Sequence, residues 1–169
     1  GQNQMVGVRY FQYTQTRSVV TSGGLGTMGF GLPAAIGAKL GAPDRTVCLF
    51  VGDGGLQMTI QELGTIMQER LDVKIILLNN HFLGMVRQWQ ELFFNERYSA
   101  TEMENPDFVA IARAFRIASR EVSRREELDE AVEEMMATDG PYLLVADVEK
   151  CGIIYPMVPA GASISNILM

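Results

Sequence analysis

The sequence predicts an α/β fold, a doubly wound and mostly parallel sheet with helices on both faces. Three segments, residues 46–51, 73–78 and 142–148, are nearly continuous apolar runs rather than alternating ones. Such runs are typical of strands that are covered on both faces, as in parallel sheets. Helical patterns lie between these runs, and this alternation favours a doubly wound sheet.

Helix signals separate the strand segments in the first half of the chain. A shorter strand candidate, SVVTS (18–22), comes before the helical segment LPAAIGAKL (32–40). After the 46–51 strand, Thr59 and Glu62 form a T-x-x-E pattern. This pattern predicts a capping box at the start of a helix.

Two further helix starts are predicted in the second half of the chain. Asn105 followed by Pro106 indicates an N-cap and a first helical residue, ahead of the apolar segment 108–115. Ser123 and Glu126 form a second capping box before the last helix.

Composition limits the classes of function. The 169 residues are 47% hydrophobic, enough for one complete core, so residues 1–169 are predicted to form a single domain. A net charge of −6 argues against a nucleic-acid partner. No apolar run approaches the roughly 18 residues of a membrane span, and the start GQNQM does not resemble a signal peptide, so a cytoplasmic location is expected. Because the chain starts without Met and closes on the apolar tail ISNILM, it is expected to be a piece of a longer protein.

Polar residues follow two of the predicted strands at their carboxyl ends. Asp53 comes after the strand that ends at residue 51, and Asn79 and Asn80 come after the strand that ends at residue 78. Ligands of doubly wound sheets bind at these ends, so the carboxylate and an amide oxygen converge if the two strands are neighbours. Hard oxygen ligands, with room for water and phosphate oxygens, describe a Mg²⁺ site. The alternative is that Gly-Asp-Gly is a plain turn and Asn-Asn a loop.

Glycines around Asp53 indicate an anion beside the metal. Gly52, Gly54 and Gly55 would let the backbone approach a phosphate closely, because no Cβ stands in the way. The helix that starts near Thr59 could add the partial positive charge of its amino terminus.

A second glycine motif allows a different interpretation. Gly24, Gly26 and Gly29 form G-x-G-x-x-G, and Asp53 lies near where a dinucleotide fold places its ribose-binding acid. A nicotinamide site, however, gives no role to the paired asparagines. A metal-diphosphate site uses all three segments and is the preferred interpretation.

The spacing of these motifs resembles a known signature. Gly52-Asp53-Gly54, followed after 24 residues by Asn79-Asn80, is similar to the thiamine-diphosphate signature of the decarboxylase and carboligase superfamily. The segments TSGGLGTMGFGLPAAIGA and LGMVRQWQELFF narrow the resemblance to the catalytic large subunits of acetolactate synthase, also called acetohydroxyacid synthase. The resemblance covers essentially the whole chain, as the carboxyl-terminal, thiamine-diphosphate-binding domain of a three-domain enzyme.

The resemblance implies a set of binding residues. Mg²⁺ would be held by the side chains of Asp53 and Asn80 and by the backbone carbonyl of Phe82. Met28 would support the cofactor in its bent shape, and Asn3 stands where the family usually has a histidine. The residues implied to line the cofactor are Gln2, Asn3, Gly26, Thr27, Met28, Gly52, Asp53, Gly54, Gly55, Asn80, Phe82, Leu83, Gly84 and Met85.

By the same resemblance, Met85 and Trp89 would line the substrate channel. For Trp89, a core position on an amphipathic helix is the alternative. No catalytic residue is expected in this chain, because the activating glutamate of the family lies on a partner domain, and Glu62 and Glu91 are in predicted helices. His81, the only histidine, is interpreted as a loop residue beside the site rather than as a general base.

The implied activity is decarboxylation of pyruvate and condensation of the resulting enamine with a second 2-keto acid. The product would be acetolactate or acetohydroxybutyrate, for branched-chain amino-acid biosynthesis. The alternatives are another thiamine-diphosphate-dependent 2-keto-acid decarboxylase or oxidase, a nicotinamide-dependent oxidoreductase domain, and a non-catalytic assembly module. The resemblance further implies FAD bound mainly outside this chain, separate pyrimidine-binding and FAD-associated domains, a homodimer or tetramer, and a regulatory small subunit as a candidate partner.

Overall fold

The computed structural model describes all residues from 1 to 169. The chain alternates helices and strands after an amino-terminal helix, and short 3-10 turns precede two of the helices. The helices are α1 (Gln2–Tyr10), α2 (Gly31–Gly41), α3 (Asp53–Gln57), α4 (Leu63–Glu69), α5 (Gly84–Phe93), α6 (Phe108–Ala114) and α7 (Leu128–Ala137). The strands are β1 (Val47–Gly52), β2 (Val73–Asn79), β3 (Ala118–Val122) and β4 (Tyr142–Asp147). No helix has the length and apolar character needed to cross a membrane.

The four strands form one parallel sheet in the order β1-β2-β4-β3. β1 and β2 are neighbours, and Gly52 at the end of β1 pairs with Leu78 near the end of β2. The expected convergence of the two carboxyl ends is therefore confirmed. β4 pairs with β2 on its other side, and Asn79 is opposite Asp147.

Hydrophobic cores lie on both faces of the sheet. The larger core packs α2, α3, α4 and α6 against side chains such as Leu49, Ile75 and Val145. The smaller one packs α7 against alternate residues of the same strands, including Leu144 and Ala146. Side chains of successive strand residues point to opposite faces, so the continuous apolar runs bury both sides of the sheet, and the doubly wound α/β prediction is confirmed.

One strand was not predicted and one predicted strand is absent. β3 has the sequence ASREV and only Val122 is buried, because it is the edge strand of the sheet. Its polar residues lack the apolar run by which the other strands were found. Residues 18–22 were expected to form a strand, but they are irregular and mostly exposed.

None of the three predicted helix caps forms, although a helix begins within a few residues of each one. The cap of α6 is Asp107, whose carboxylate accepts from the N–H of Ala110 at 2.8 Å, rather than Asn105. Thr59 makes no cap hydrogen bond; its hydroxyl donates to the carbonyl of Gly29 at 3.1 Å. The Ser123 box is likewise not formed, and a 3-10 turn leads into α7 instead.

Candidate functional site

Asp53 is a buried carboxylate at the carboxyl end of β1. It is the first residue of α3 and only 2% exposed. Oδ1 accepts from the N–H of Gly54 at 2.9 Å, and Oδ2 accepts from the N–H of His81 at 2.9 Å and from Nδ2 of Asn105 at 2.6 Å. No lysine or arginine forms an ion pair with it. The negative charge is thus desolvated and held by hydrogen bonds alone, which favours a further positive partner.

Asn80 follows β2 and faces the same edge of the sheet. Its Oδ1 accepts from the N–H of Phe82 at 3.2 Å, and its Nδ2 donates to Oε1 of Gln2 at 3.3 Å. Phe82 forms an isolated antiparallel bridge with Glu102, and its carbonyl accepts no hydrogen bond. Two oxygens at this edge, one amide and one backbone carbonyl, therefore keep free lone pairs.

Two residues of α1 also reach the site. The side chain of Gln2 lies over Gly84, where a Cβ would overlap its Oε1 and would approach Nδ2 of Asn80 to 2.8 Å. The side chain of Asn3 lies beside Gly52, where its Oδ1 would be 3.4 Å from an added Cβ. The absence of a side chain at position 84 is what allows Gln2 and Asn80 to approach the backbone there.

The glycine loop that precedes α2 approaches Asp53 from the other side. A Cβ on Gly54 would lie 2.7 Å from Cε of Met28 and 2.9 Å from Cδ2 of Leu83. The loop is held by a hydrogen bond from the N–H of Thr27 to Oγ of Ser22 at 3.0 Å. Gly26 and Gly29 in the same loop have φ of +61° and +85°. Gly55 has only ordinary contacts, so its lack of a side chain is not required by space. The structure brings the loop and the Gly54 segment together, as the metal-diphosphate interpretation needs.

Asn79 extends the polar site toward the centre of the sheet. It is 5% exposed, its Nδ2 donates to Oδ1 of Asp147 at 2.9 Å, and its Oδ1 accepts from Nδ2 of Asn105 at 2.7 Å. At the outer end of this network, partial desolvation and the neighbouring Asp147 raise the pKa of Glu121 on β3. Asn105 is a site residue that its sequence does not predict, because nothing in its local pattern distinguishes it from a residue at the start of a helix.

The family of the chain is shown by comparison with known proteins. The model of the thiamine pyrophosphate enzymes, C-terminal TPP-binding domain, matches residues 1–146. The chain belongs to this family. It is the family that the Gly-Asp-Gly and Asn-Asn spacing predicted, and its members use thiamine pyrophosphate, which is the same compound as thiamine diphosphate.

Similar proteins within the family are acetolactate synthase subunits. The isozyme 2 large subunit of Escherichia coli K12 is 47% identical over 169 residues, which are 99% of this chain and 31% of that protein. The large subunit of Lactococcus lactis is 44% identical over 95% of this chain and 28% of its own length. The mitochondrial catalytic subunit of Saccharomyces cerevisiae is 42% identical over 99% of this chain and 24% of its own length. The chain thus spans about a quarter to a third of the curated relatives that it matches.

A solved structure supports the same family. The thiamine diphosphate-dependent 4-hydroxybenzoylformate decarboxylase of Rhodococcus jostii RHA1 matches with a TM-score of 0.67 and 32% identity, over 72% of this chain and 23% of that one. The nicotinamide alternative is not supported, because the family is a thiamine pyrophosphate family and no strand precedes the G-x-G-x-x-G segment.

An open apolar groove beside the site of Asp53 and Asn80 contains Met85 and Trp89, the two residues predicted to line the substrate channel. It has a volume of about 630 Å³ and is lined by Met85, Val86, Trp89, Gln90, Phe94 and Arg97. Trp89 is 40% exposed and packs edge-to-face on Phe93, with ring centroids 5.6 Å apart. The core position considered for Trp89 is therefore wrong, and its role in a substrate channel stays a prediction.

Proposed function

We propose that this thiamine pyrophosphate-binding domain holds its cofactor through Mg²⁺, and that it belongs to an acetolactate synthase subunit. The main support for the metal is the buried Asp53 carboxylate, which has no cationic partner. It lies beside the free carbonyl of Phe82 and the amide oxygen of Asn80. No group of three His, Cys, Asp or Glu residues is placed to hold a metal. One carboxylate, one amide and one carbonyl suit Mg²⁺, which keeps positions for water and phosphate oxygens.

The residues around this metal position would bind the diphosphate end of the cofactor. Gly54 and Gly84 admit close approach to the backbone, and Gln2 contacts Asn80 from α1. Met28, 42% exposed beside Gly54, would support the bent cofactor. The remaining lining residues proposed are Asn3, Gly26, Thr27, Gly52, Gly55, Leu83 and Met85.

The chain's own residues have a limited part in the chemistry. Thiamine pyrophosphate, when bound, supplies the carbon nucleophile and electron sink for 2-keto-acid decarboxylation. The protein residues here bind and orient the charged end, and the groove at Met85 and Trp89 would admit the 2-keto acids. No residue of this chain is proposed as the activating acid or base.

The activity of the whole subunit rests on its similarity to acetolactate synthases. Identities of 42 to 47% over almost the entire chain favour pyruvate and a second 2-keto acid as substrates. From the sequence alone we also propose FAD bound outside this domain, a three-domain subunit, a homodimer or tetramer, a regulatory subunit and a cytoplasmic location. Apolar residues left exposed, among them Phe30 at 38% and Ile164 at 82%, are proposed to face the other domains.

A second candidate activity is simple decarboxylation of a 2-keto acid. The structural similarity to a 4-hydroxybenzoylformate decarboxylase favours it. Product analysis with pyruvate and 2-ketobutyrate separates the two, because a carboligase yields acetolactate and acetohydroxybutyrate, whereas a decarboxylase releases aldehydes. Aldehydes as the only products would contradict the acetolactate synthase proposal.

Calorimetric titration tests the cofactor site directly. Thiamine pyrophosphate with Mg²⁺ is expected to bind, and NAD(H) is not. Asp53→Ala should abolish binding, whereas Asp44→Ala, which changes an exposed aspartate outside the site, should leave it unchanged. Equal affinity in the Asp53 variant would refute the metal assignment.

A further inference from the structure

The side-chain amide of Asn105 makes three hydrogen bonds within the site. Its Nδ2 donates to Oδ2 of Asp53 at 2.6 Å and to Oδ1 of Asn79 at 2.7 Å, and its Oδ1 accepts from Nε2 of Gln57 at 2.9 Å. Both donor hydrogens of the amide are thus occupied, and its oxygen accepts one hydrogen bond. Asn105 lies 52 positions from Asp53 in the chain, on the loop before α6.

The donors and acceptors of the neighbouring side chains determine the orientation of the Asn105 amide. An ionised carboxylate only accepts hydrogen bonds, so Asp53 requires a donor from Asn105. At the other end, Asp147 requires a donor from Asn79, which leaves the oxygen of Asn79 as an acceptor. Both requirements turn the amide nitrogen of Asn105 toward its two neighbours. A flipped amide would place its oxygen against the carboxylate oxygen of Asp53 and against the oxygen of Asn79.

The same bonds distinguish the two carboxylate oxygens of Asp53. Oδ2 accepts from two donors, the N–H of His81 and the amide of Asn105. Oδ1 accepts only from the N–H of Gly54. Oδ1 is therefore the oxygen with more free lone-pair capacity for a cation.

We propose that Asn105 is a positioning residue, which fixes the rotation of the Asp53 carboxylate so that Oδ1 is presented to the divalent cation. This inference rests on the proposed function, because it requires the cation at Asp53. Asn105 itself does not contact the cation. Partners of this kind, which orient a metal ligand, typically change metal affinity about 10- to 100-fold when they are removed.

The loop that contains Asn105 has other attachments to the site. The N–H of Met103 donates to the carbonyl of His81 at 2.8 Å, and the N–H of Leu83 donates to the carbonyl of Thr101 at 2.8 Å. Asp107 caps α6 independently. Variants of Asn105 are therefore expected to fold with the loop in place, so a change in metal affinity can be separated from loss of structure.

The test is a titration of the intact gene product with Mn²⁺, followed by electron paramagnetic resonance in the presence of thiamine pyrophosphate. Asn105→Ala should weaken Mn²⁺ binding at least about tenfold. Asn105→Ser, which keeps one donor, should recover part of the loss. Gln57→Met is the matched control: it removes a bond of the same amide but leaves both bonds to Asp53 Oδ2, and it should change the affinity less than about twofold. Thermal unfolding without metal shows whether each variant is folded.

The outcomes separate the positioning role from the proposed function. Wild-type affinity for Mn²⁺ in a folded Asn105→Ala variant would overturn the positioning role and leave the metal site intact. An equal loss in the Asn105 and Gln57 variants would also overturn it, since the network as a whole would then be responsible. Absence of Mn²⁺ binding in the wild type would refute the cation at Asp53, and the positioning role with it. If Asn105→Ala does not fold, Asn105→Ser gives the comparison: its Mn²⁺ affinity is expected to lie below that of the wild type and of Gln57→Met, and an affinity equal to theirs would overturn the positioning role.

Discussion

Replacement of Gly29 by alanine is expected to destabilise the protein by about 2 to 5 kcal/mol. Gly29 has φ of +85°, a region that costs an L-residue roughly 1–2 kcal/mol. A Cβ there would also lie 3.0 Å from Cβ of Met58 and 3.3 Å from Cγ2 of Thr59. Neither atom is the free end of a flexible side chain, so the crowding adds about 1–3 kcal/mol.

Two other glycines separate these effects. Gly26 has φ of +61° but nothing within 4 Å of an added Cβ, so Gly26→Ala should cost only about 1–2 kcal/mol. Gly37 lies inside α2 with open space around it, and Gly37→Ala should stabilise the protein by about 0.5–1 kcal/mol. The three variants share one chemical change and differ in backbone conformation and crowding.

Urea denaturation of the cofactor-free protein measures these differences, provided that the transition is two-state. The free energy of unfolding is expected to be highest for Gly37→Ala, followed by the wild type and Gly26→Ala, and lowest for Gly29→Ala. Equal losses at positions 26 and 29 would refute the crowding by Met58 and Thr59. A gain in stability at position 26 would refute the left-handed conformation of the loop.

Three further outcomes are expected. In the full-length enzyme, Asp53→Ala should abolish cofactor retention and Asn80→Ala should weaken it at least about tenfold, measured by activation with Mg²⁺; near-normal activation would contradict the metal site. Trp89→Leu should change the ratio of acetohydroxybutyrate to acetolactate in competition assays while cofactor affinity is kept, and an unchanged ratio would count against the channel role. The fold raises the pKa of Glu121, so stability falls as pH rises from the ordinary carboxyl pKa through the raised one. Glu121→Gln should therefore raise the Tm at pH 7 with a gain that disappears below about pH 4. Glu134→Gln is a control for which the opposite sign is expected. Hydrogen bonds from Tyr142 and Arg120 lower the pKa of Glu134, so the Tm of this variant at pH 7 should be lower than that of the wild type.

Much of the site could be predicted from the sequence because its signals are local. Apolar runs identified three parallel strands, and the parallel topology places the residues after each strand at one edge of the sheet. Asp53 and Asn80 could therefore be assigned to one site before their contacts were known. The glycine loop could be assigned to the same site because glycines in that pattern permit close approach of a ligand to the backbone.

Only the tertiary structure revealed how that site is held together. Asn105 contacts Asp53 across 52 positions, and Asn79 reaches Asp147 across 68. A hydrogen bond between distant side chains leaves no periodic pattern in either segment, so Asn105 was interpreted from its neighbour Pro106 as a helix cap. The edge strand β3 could not be predicted from the sequence for a related reason. Its polar side chains are tolerated because one of its edges has no neighbouring strand, and an edge position is a property of the assembled sheet. Local sequence determined the elements and their functional ends, whereas the pairing of distant polar groups required the three-dimensional arrangement.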